Sequence, residues 1–234
     1  MPILEEDVLC LSSINLGPID SPLIQTSRES GRLPVLELTE RAAGLLLLAI
    51  ASPVLVSSAL AVMVFSRRSP LVAHLRVAKN GAPFWMLKLR SMWDDREPEP
   101  TAARWIERIA AEPATDLKDP FDSRVASRFA AFCRRHSIDE LPQLWHVVCG
   151  EMALVGPRPL TRAEIRRHYG HQADLLLSVK PGLTGLWQVG GRSAIQFPER
   201  RAMDLELVRS LKPRTYLTIL ARTLPTLISG KGAW

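Results

Sequence analysis

From Ala42 to Phe65 run 24 residues without a single charge, bracketed by Arg41 and by the Arg67-Arg68 pair. A straight helix of that length rises roughly 36 Å, while a hydrocarbon core is about 30 Å thick. The run starts too far from Met1 to be a signal peptide, and no cationic stretch precedes it. A buried helix of a soluble core would be shorter, so the segment reads as membrane-embedded. Ser52-Pro53 stands at its middle. Pro53 lacks an N–H and its ring opposes the Ala49 carbonyl, so the helix is expected to kink or break there. Each half then measures roughly 16 Å, too short to cross alone. A kinked span would put the termini on opposite sides; a re-entrant hairpin would return the chain to the side it entered from. Arg67, Arg68, Arg76 and Lys79 load the following flank more heavily than Arg41 loads the preceding one. That flank places the body in the cytoplasm.

Charge divides the chain a second time. Residues 1–40 hold seven acids and two bases, whereas the rest hold 28 bases and 17 acids. The body is therefore a cation whose natural partners are phosphates, on a membrane, a nucleotide or a nucleic acid. Hydrophobic residues make up 47% of the chain, which excludes disorder of the whole. Cys10, Cys133 and Cys149 are odd in number and irregularly spaced. They provide neither a disulfide scaffold nor a CxxC zinc site, and they point to a reducing compartment.

Three segments follow from this reading: a loose tail over residues 1–33, a membrane helix over 34–66 and a cytoplasmic domain over 67–234. The expected fold class is mixed α/β and mainly helical. Asn80-Gly81 predicts a hairpin within Leu71–Arg90. A helix is expected over Ala102–Ala111. Ser127–Arg135 places Phe129, Phe132 and Cys133 on one side. Thr161 and Glu164 form a capping box before a further helix. In Arg214–Ser229 the residues Tyr216, Leu217, Leu220, Leu224, Leu227 and Ile228 share one face, either a core stripe or a helix lying on the bilayer.

Two short stretches can carry chemistry. In Ser137-Ile138-Asp139-Glu140-Leu141-Pro142-Gln143, Ser137 and Glu140 fit a capping box, and Asp139 falls where a helix dipole favours an anion. That cap accounts for both acids. Adjacent carboxylates can equally ligate a hard cation such as Mg2+ or attack phosphorus. In Gly156-Pro157-Arg158-Pro159 two prolines hold the backbone on either side of one arginine. A guanidinium on a rigid stub suits bidentate phosphate recognition. Lys180 to Gln188 is a further rigid and glycine-bearing segment. His74, His136, His146, His168 and His171 show no metal spacing, and no GxGxxG, Walker A or GxSxG pattern occurs.

In this order the segments resemble the bacterial sugar transferase family of monotopic polyprenyl-phosphate phosphoglycosyl transferases. The likeness runs from about Glu40 to Trp234. It rests on the run broken at Ser52-Pro53, Arg76 to Gly81, Lys88-Leu89-Arg90-Ser91-Met92, Ser137 to Trp145, Gly150 to Pro159, Lys180 to Gln188, Gly191-Arg192 and the closing Gly230-Lys231-Gly232-Ala233. The chain departs from the family pattern at Ser69 to Ala73, Ala78, Ala130-Ala131 and Ser193. The absence of a large domain before the apolar run is expected to mark a compact form.

The resemblance implies a two-step transfer of a sugar 1-phosphate from a UDP-sugar to undecaprenyl phosphate with release of UMP, assisted by Mg2+. Asp139 would be the nucleophile and a metal contact, with Glu140 as its acid/base partner. Arg134 and Arg158, with Lys88 and Arg90, would bind substrate phosphate, and Pro157 and Pro159 would frame the loop. The apolar run would be a re-entrant hairpin bent at Ser52 and Pro53, with both ends in the cytoplasm. The partners implied are a UDP-sugar (a hexose such as galactose or glucose), undecaprenyl phosphate and the bacterial inner-membrane bilayer, not nucleic acid. Self-association stays open. The product would initiate exopolysaccharide, capsule or O-antigen assembly. The rival reading is a non-enzymatic single-span protein with a basic lipid- or nucleic-acid-binding domain, which accounts for neither Asp139-Glu140 nor Pro157-Arg158-Pro159.

Overall fold

The apolar segment stays helical through its proline. The computed structural model describes residues 34–92, 105–109, 127–191 and 195–230, and in it one helix, α1 (Pro34–Ser66), contains Pro53. A helix proline orphans the carbonyl four residues earlier, here that of Ala49. The Ser52 hydroxyl donates to this carbonyl at 2.8 Å. The Ser57 hydroxyl donates in turn to the Pro53 carbonyl at 2.8 Å. Satisfied in this way, the backbone does not break at Pro53. Of the two expected outcomes, a kink within the helix is the one left open.

Helix α1 is long and apolar enough to cross a membrane, with a mean hydropathy of 2.4 over its most apolar window. Most of its surface is exposed. The positions turned toward the body are Glu37, Glu40, Gly44, Leu48, Ala51, Leu55, Ser58, Val62 and Ser66, recurring every three or four residues on both sides of Pro53. Many are small, and this lets the helix approach closely. A Cβ on Gly44 would lie 3.0 Å from Val147 Cγ1. Ala43, Leu48 and Ala51 pack on Leu144, Val147 and Met152, while Val62 and Ala59 pack with Leu89 and Cys133.

The hairpin signalled by Asn80-Gly81 is present. Strands β1 (Leu71–Val77) and β2 (Pro83–Leu89) pair antiparallel from Leu71↔Leu89 to Val77↔Pro83. Asn80 and Gly81 both adopt positive φ, at 59° and 79°. Strand β3 (Ile106–Ile109) lies parallel to β1, so the sheet order is β2-β1-β3. This corrects the helix expected over Ala102–Ala111, at least for its described part. Pairing with β1, from Leu71↔Ile106 to His74↔Ile109, overrides the local pattern of Ile-Glu-Arg-Ile, and the Leu71 N–H donates to the Trp105 carbonyl at the start of the pairing. The rest of that segment, the tail 1–33, Arg192 and residues 231–234 lie outside the described residues.

The chain continues through α2 (Arg128–Arg135), a 3-10 turn at Ile138–Gln143, α3 (Leu144–Cys149) and β4 (Ala153–Val155). Helix α4 (Arg162–His168) starts at the expected Thr161/Glu164 capping box. Then follow α5 (Ala173–Leu177), β5 (Gly182–Thr184), α6 (Leu186–Gly190), α7 (Phe197–Ser210) and α8 (Pro213–Ser229). Strands β4 and β5 pair in parallel. The apolar stripes expected on α2 and α8 are split rather than single. In α2, Cys133 is buried but Phe132 is exposed. In α8, Ile219 is buried and Tyr216 and Leu220 pack inward, whereas Leu217, Leu224 and Ile228 are 63–69% exposed. One apolar arc wider than the contact it makes leaves an outer apolar edge.

Edge strand β2 is fastened to α3 by a histidine whose spacing in the sequence carries no signal. His146 is 1% exposed. Its Nε2 accepts from the Leu87 N–H at 2.9 Å, and its Nδ1 meets Glu151 Oε2 at 2.6 Å. Accepting at Nε2 fixes the neutral tautomer with the proton on Nδ1. His146→Leu should lower stability by about 2 kcal/mol, because it leaves a buried N–H and a carboxylate unpaired. His146→Gln, which keeps a donor and an acceptor, should cost less. Equal losses in denaturant titrations of the two variants would assign the residue to packing alone.

Candidate active site

The 3-10 turn brings the acidic pair against β2. Asp139 is 3% exposed. Its Oδ2 lies 3.0 Å from Lys88 Nζ and accepts from the Ser91 hydroxyl at 3.3 Å. Glu140 Oε1 is 3.8 Å from the same Nζ and 3.6 Å from an Arg158 guanidinium nitrogen. Lys88, Asp139, Glu140 and Arg158 therefore form one cluster.

The expected cap at Ser137 is absent. Ser137 takes a left-handed conformation, φ 54° and ψ 26°, and its side chain makes no capping bond. It serves as the corner between α2 and the 3-10 turn, its carbonyl accepting the Glu140 N–H at 3.0 Å. This corner sets the direction of the two acids, which fall in the first turn of the 3-10 helix. The capping-box account of Ser137 and Glu140 is thereby removed.

Arg158 is delivered by a backbone crossing. Gly156 and Gly182 touch so closely that a Cβ on Gly182 would lie 2.0 Å from the Gly156 nitrogen. The Gly182 N–H donates to the Pro157 carbonyl at 2.8 Å, and the Gly156 N–H to the Thr184 carbonyl at 2.9 Å. Only glycines permit that approach, and it fastens Pro157-Arg158-Pro159 to the Lys180–Gln188 segment. From there Trp187 presents its ring to the Arg158 guanidinium at 5.6 Å. Arg200 of α7 reaches the same ring at 4.9 Å.

Behind this loop lies a buried acid. Asp204 of α7 accepts from the Tyr169 hydroxyl at 3.0 Å. Burial pushes its carboxyl up to about 7, against the lowering influence of Tyr169, the Arg158 backbone N–H and the Arg158 and Arg200 charges. Ser91, Trp187, Arg200 and Asp204 were not singled out as site residues from the sequence. The signal for them is spatial, since α7 meets the Pro-Arg-Pro loop only in the fold.

Two expected phosphate ligands are placed differently. Arg90 is buried, pairs with Glu107 of β3 and donates from Nε to the Ser69 carbonyl at 2.8 Å. It holds the sheet together and does not enter the cluster. Arg134 sits in the last turn of α2, its carbonyl accepting the Ser137 N–H. No hydrogen bond or ion pair among the described residues draws its side chain to the acids. Ser52 and Pro53 lie on the exposed side of α1. Cys133 is buried beneath the turn, and burial followed by the Asp139 charge pushes its thiol up to about 11. It is an inert thiol at neutral pH. Among the described residues no group of three or more His, Cys, Asp or Glu side chains could hold a metal ion by itself.

The raised Asp204 has a testable consequence. Its pKa is higher in the fold than the ordinary 3.8. Its contribution to stability is thus full below about pH 4 and is lost as pH rises toward 7. Asp204→Asn should remove that dependence. Its stability relative to wild type should rise by at least about 1 kcal/mol between pH 5 and pH 8 in denaturant titrations. A pH-independent difference would place the Asp204 titration elsewhere.

Comparison with known proteins identifies the family of the chain. Residues 33–230 match the family described as bacterial sugar transferase. Among similar proteins is the UDP-galactose-lipid carrier transferase of Erwinia amylovora, 39% identical over 71% of this chain and 35% of that protein. The undecaprenyl-phosphate galactose phosphotransferase of Salmonella typhimurium is 36% identical over 70% of this chain and 34% of its own length. The chain thus spans about a third of the length of these two. The UDP-glucose:undecaprenyl-phosphate glucose-1-phosphate transferase of Caulobacter vibrioides is 34% identical, with 94% of this chain and 81% of that protein covered. A family match over most of its length, joined to that extended likeness, means that the chain belongs to the bacterial sugar transferase family.

Proposed function

We propose that this protein transfers a sugar 1-phosphate from a UDP-sugar to undecaprenyl phosphate, releasing UMP, as the first membrane step of polysaccharide assembly. The observation that carries the reading is a buried carboxylate, Asp139, aimed by Lys88 and set beside Glu140 and Arg158. The names of the relatives support the substrate class. A hexose, galactose or glucose, is the sugar they favour.

In this mechanism an Asp139 oxygen attacks the sugar-bearing phosphorus. A carboxylate-to-phosphorus bond forms, the bond to the bridging oxygen breaks, and UMP leaves with that oxygen. A phosphate oxygen of the lipid then attacks the same phosphorus and returns Asp139 to its free form. Lys88 compensates the Asp139 charge before attack and is placed to meet charge on the phosphoryl oxygens afterwards. Glu140 handles the proton balance at the pair. Arg158 clamps the phosphate through its planar fork. Asp139 and Glu140 would hold Mg2+, since that ion commonly takes only one or two protein carboxylates. When bound, it would neutralise charge on the transferring phosphoryl group.

The packing of α1 supports the membrane part of this reading. Glu37 pairs with Lys180 at 3.0 Å and Glu40 accepts from the Tyr216 hydroxyl, so the first turns of the helix are clasped to the body. Its last turns pack there as well, with Phe65 5.9 Å from Phe129. Helix α1 with both ends on one body fits a re-entrant segment whose ends share the cytoplasmic side of the inner membrane. The exposed Leu217, Leu224 and Ile228 edge of α8 then lies at headgroup depth, where donor and lipid phosphate meet.

Asp139→Asn should abolish UMP release from the UDP-sugar and lipid phosphate while the fold persists. Incubation with donor and Mg2+ should leave a phosphosugar adduct on the Asp139 peptide of the wild type. A folded D139N variant that still turns over would sink the nucleophile assignment. Arg158→Lys keeps the charge without the fork and should lower kcat/KM at least about tenfold. For topology, single cysteines at Thr39 and Arg214 should both resist an impermeant label in intact cells. Labelling at Thr39 alone would show a full span.

A further inference from the structure

We infer that Arg200 is a second phosphate-binding arginine, holding the nucleotide-side phosphate of the donor while Arg158 holds the phosphate that Asp139 attacks. The inference rests on the transferase reading above and adds a residue that neither the sequence motifs nor the acid pair pointed to.

Two guanidiniums from separate elements converge on one indole. Arg158 comes from the loop after β4 and Arg200 from the first turn of α7, and they lie 5.6 and 4.9 Å from the Trp187 ring. Trp187 is 4% exposed, so the ring between the two elements is fixed by packing. Arg200 is also positioned by its own backbone neighbour, its Nε donating to the Ile195 carbonyl at 2.7 Å. Burial, and after it the Arg158 charge, push the Arg200 pKa down. Two like charges thus share a partly dehydrated region, an arrangement that an anion relieves. Asp204 faces both arginines, but its own carboxyl is pushed up to about 7 and compensates them only in part at neutral pH.

Which phosphate each takes follows from distance to the acids. Arg158 lies 3.6 Å from Glu140, next to Asp139. The attacked phosphorus must sit there, within reach of the carboxylate. Arg200 approaches from α7 and meets the same indole at 4.9 Å. A diphosphate sets its second phosphate one bridging oxygen away, so a second cation a short step from Arg158 is what such a donor requires. That second phosphate departs as part of UMP.

The test is the affinity of the full-length, detergent-solubilised protein for UMP, measured by titration calorimetry, beside steady-state kinetics. Arg200→Gln should weaken UMP binding about tenfold or more and raise KM for the UDP-sugar to a similar extent. Its effect on kcat should be smaller, and KM for undecaprenyl phosphate should hold within about twofold. Arg200→Lys should fall between wild type and R200Q. Unchanged UMP affinity in a folded R200Q variant would overturn the proposal, as would a shift confined to KM for the lipid phosphate. If R200Q fails to fold, R200K decides: UMP affinity equal to wild type overturns the proposal, and a loss of severalfold supports it. A wild type that binds UMP through Arg200 yet transfers no sugar phosphate would instead count against the transferase reading alone.

Discussion

A carboxylate removed from water must be compensated on the spot, and in this protein the compensation is one ammonium 3.0 Å away. Removing one partner of a buried pair costs about 3–5 kcal/mol, so β2 and the 3-10 turn cannot drift apart without losing a sizeable share of the stability of a domain this size. The surrounding structure can be understood as holding that strand in place. His146 takes the Leu87 N–H on the open edge of β2. Arg90, one residue past its end, is bound to β3 through Glu107 and to the Ser69 carbonyl. A lysine between two such fastenings has little freedom except in its own side chain.

The long apolar helix α1 belongs to the same mechanical unit. Ile138, which opens the turn carrying Asp139, packs with Val62, Leu89 and Cys133 in one apolar cluster. Val62 lies on α1 and Leu89 on β2, so helix, strand and acid-bearing turn share a core. Farther along α1, Gly44 lets Val147 of α3 approach within van der Waals contact. A displacement of α1 therefore reaches the site through rigid packing and not through a flexible linker. Such coupling would suit the proposed reaction, in which one substrate arrives from water and the other from the bilayer.

Local signals were legible in the sequence and long-range ones were not. Asn80-Gly81 names its own turn because both residues tolerate positive φ, and Thr161 with Glu164 names its own cap. The acid pair and Arg158 stand out because their neighbours are unusual. Ser137 misled because a serine three residues before a glutamate looks the same whether it caps a helix or turns a corner; only its left-handed φ separates the two. The four residues of β3 were hidden in a segment rich in charge, where strand pairing with β1 overrides the helical reading. The membrane run advertised Pro53, but not the Ser52 hydroxyl bond that keeps the Ala49 carbonyl satisfied. Trp187, Arg200 and Asp204 come from the α6 and α7 region. Nothing in their local spacing says that they meet Arg158.

The two cations nearest the acids are held with different tightness, and this fits the order of events that a double displacement demands. Lys88 contacts Asp139 at hydrogen-bonding distance, whereas Arg158 stands 3.6 Å from Glu140, beyond a good hydrogen bond. In the proposed mechanism, a clamp that accepts a donor phosphate, releases it as part of a covalent adduct and then admits a lipid phosphate would not be committed to a carboxylate of its own. Arg158 meets that need because its loop, not its side chain, is rigid. Pro157, Pro159 and the Gly156–Gly182 crossing fix the backbone, and the Trp187 face gives the guanidinium a weak resting place, worth about 0.5–2 kcal/mol as a cation–π contact. Such a contact can be traded for a charge-assisted phosphate bond and recovered afterwards. The site is thus rigid where direction matters and weakly held where partners must be exchanged.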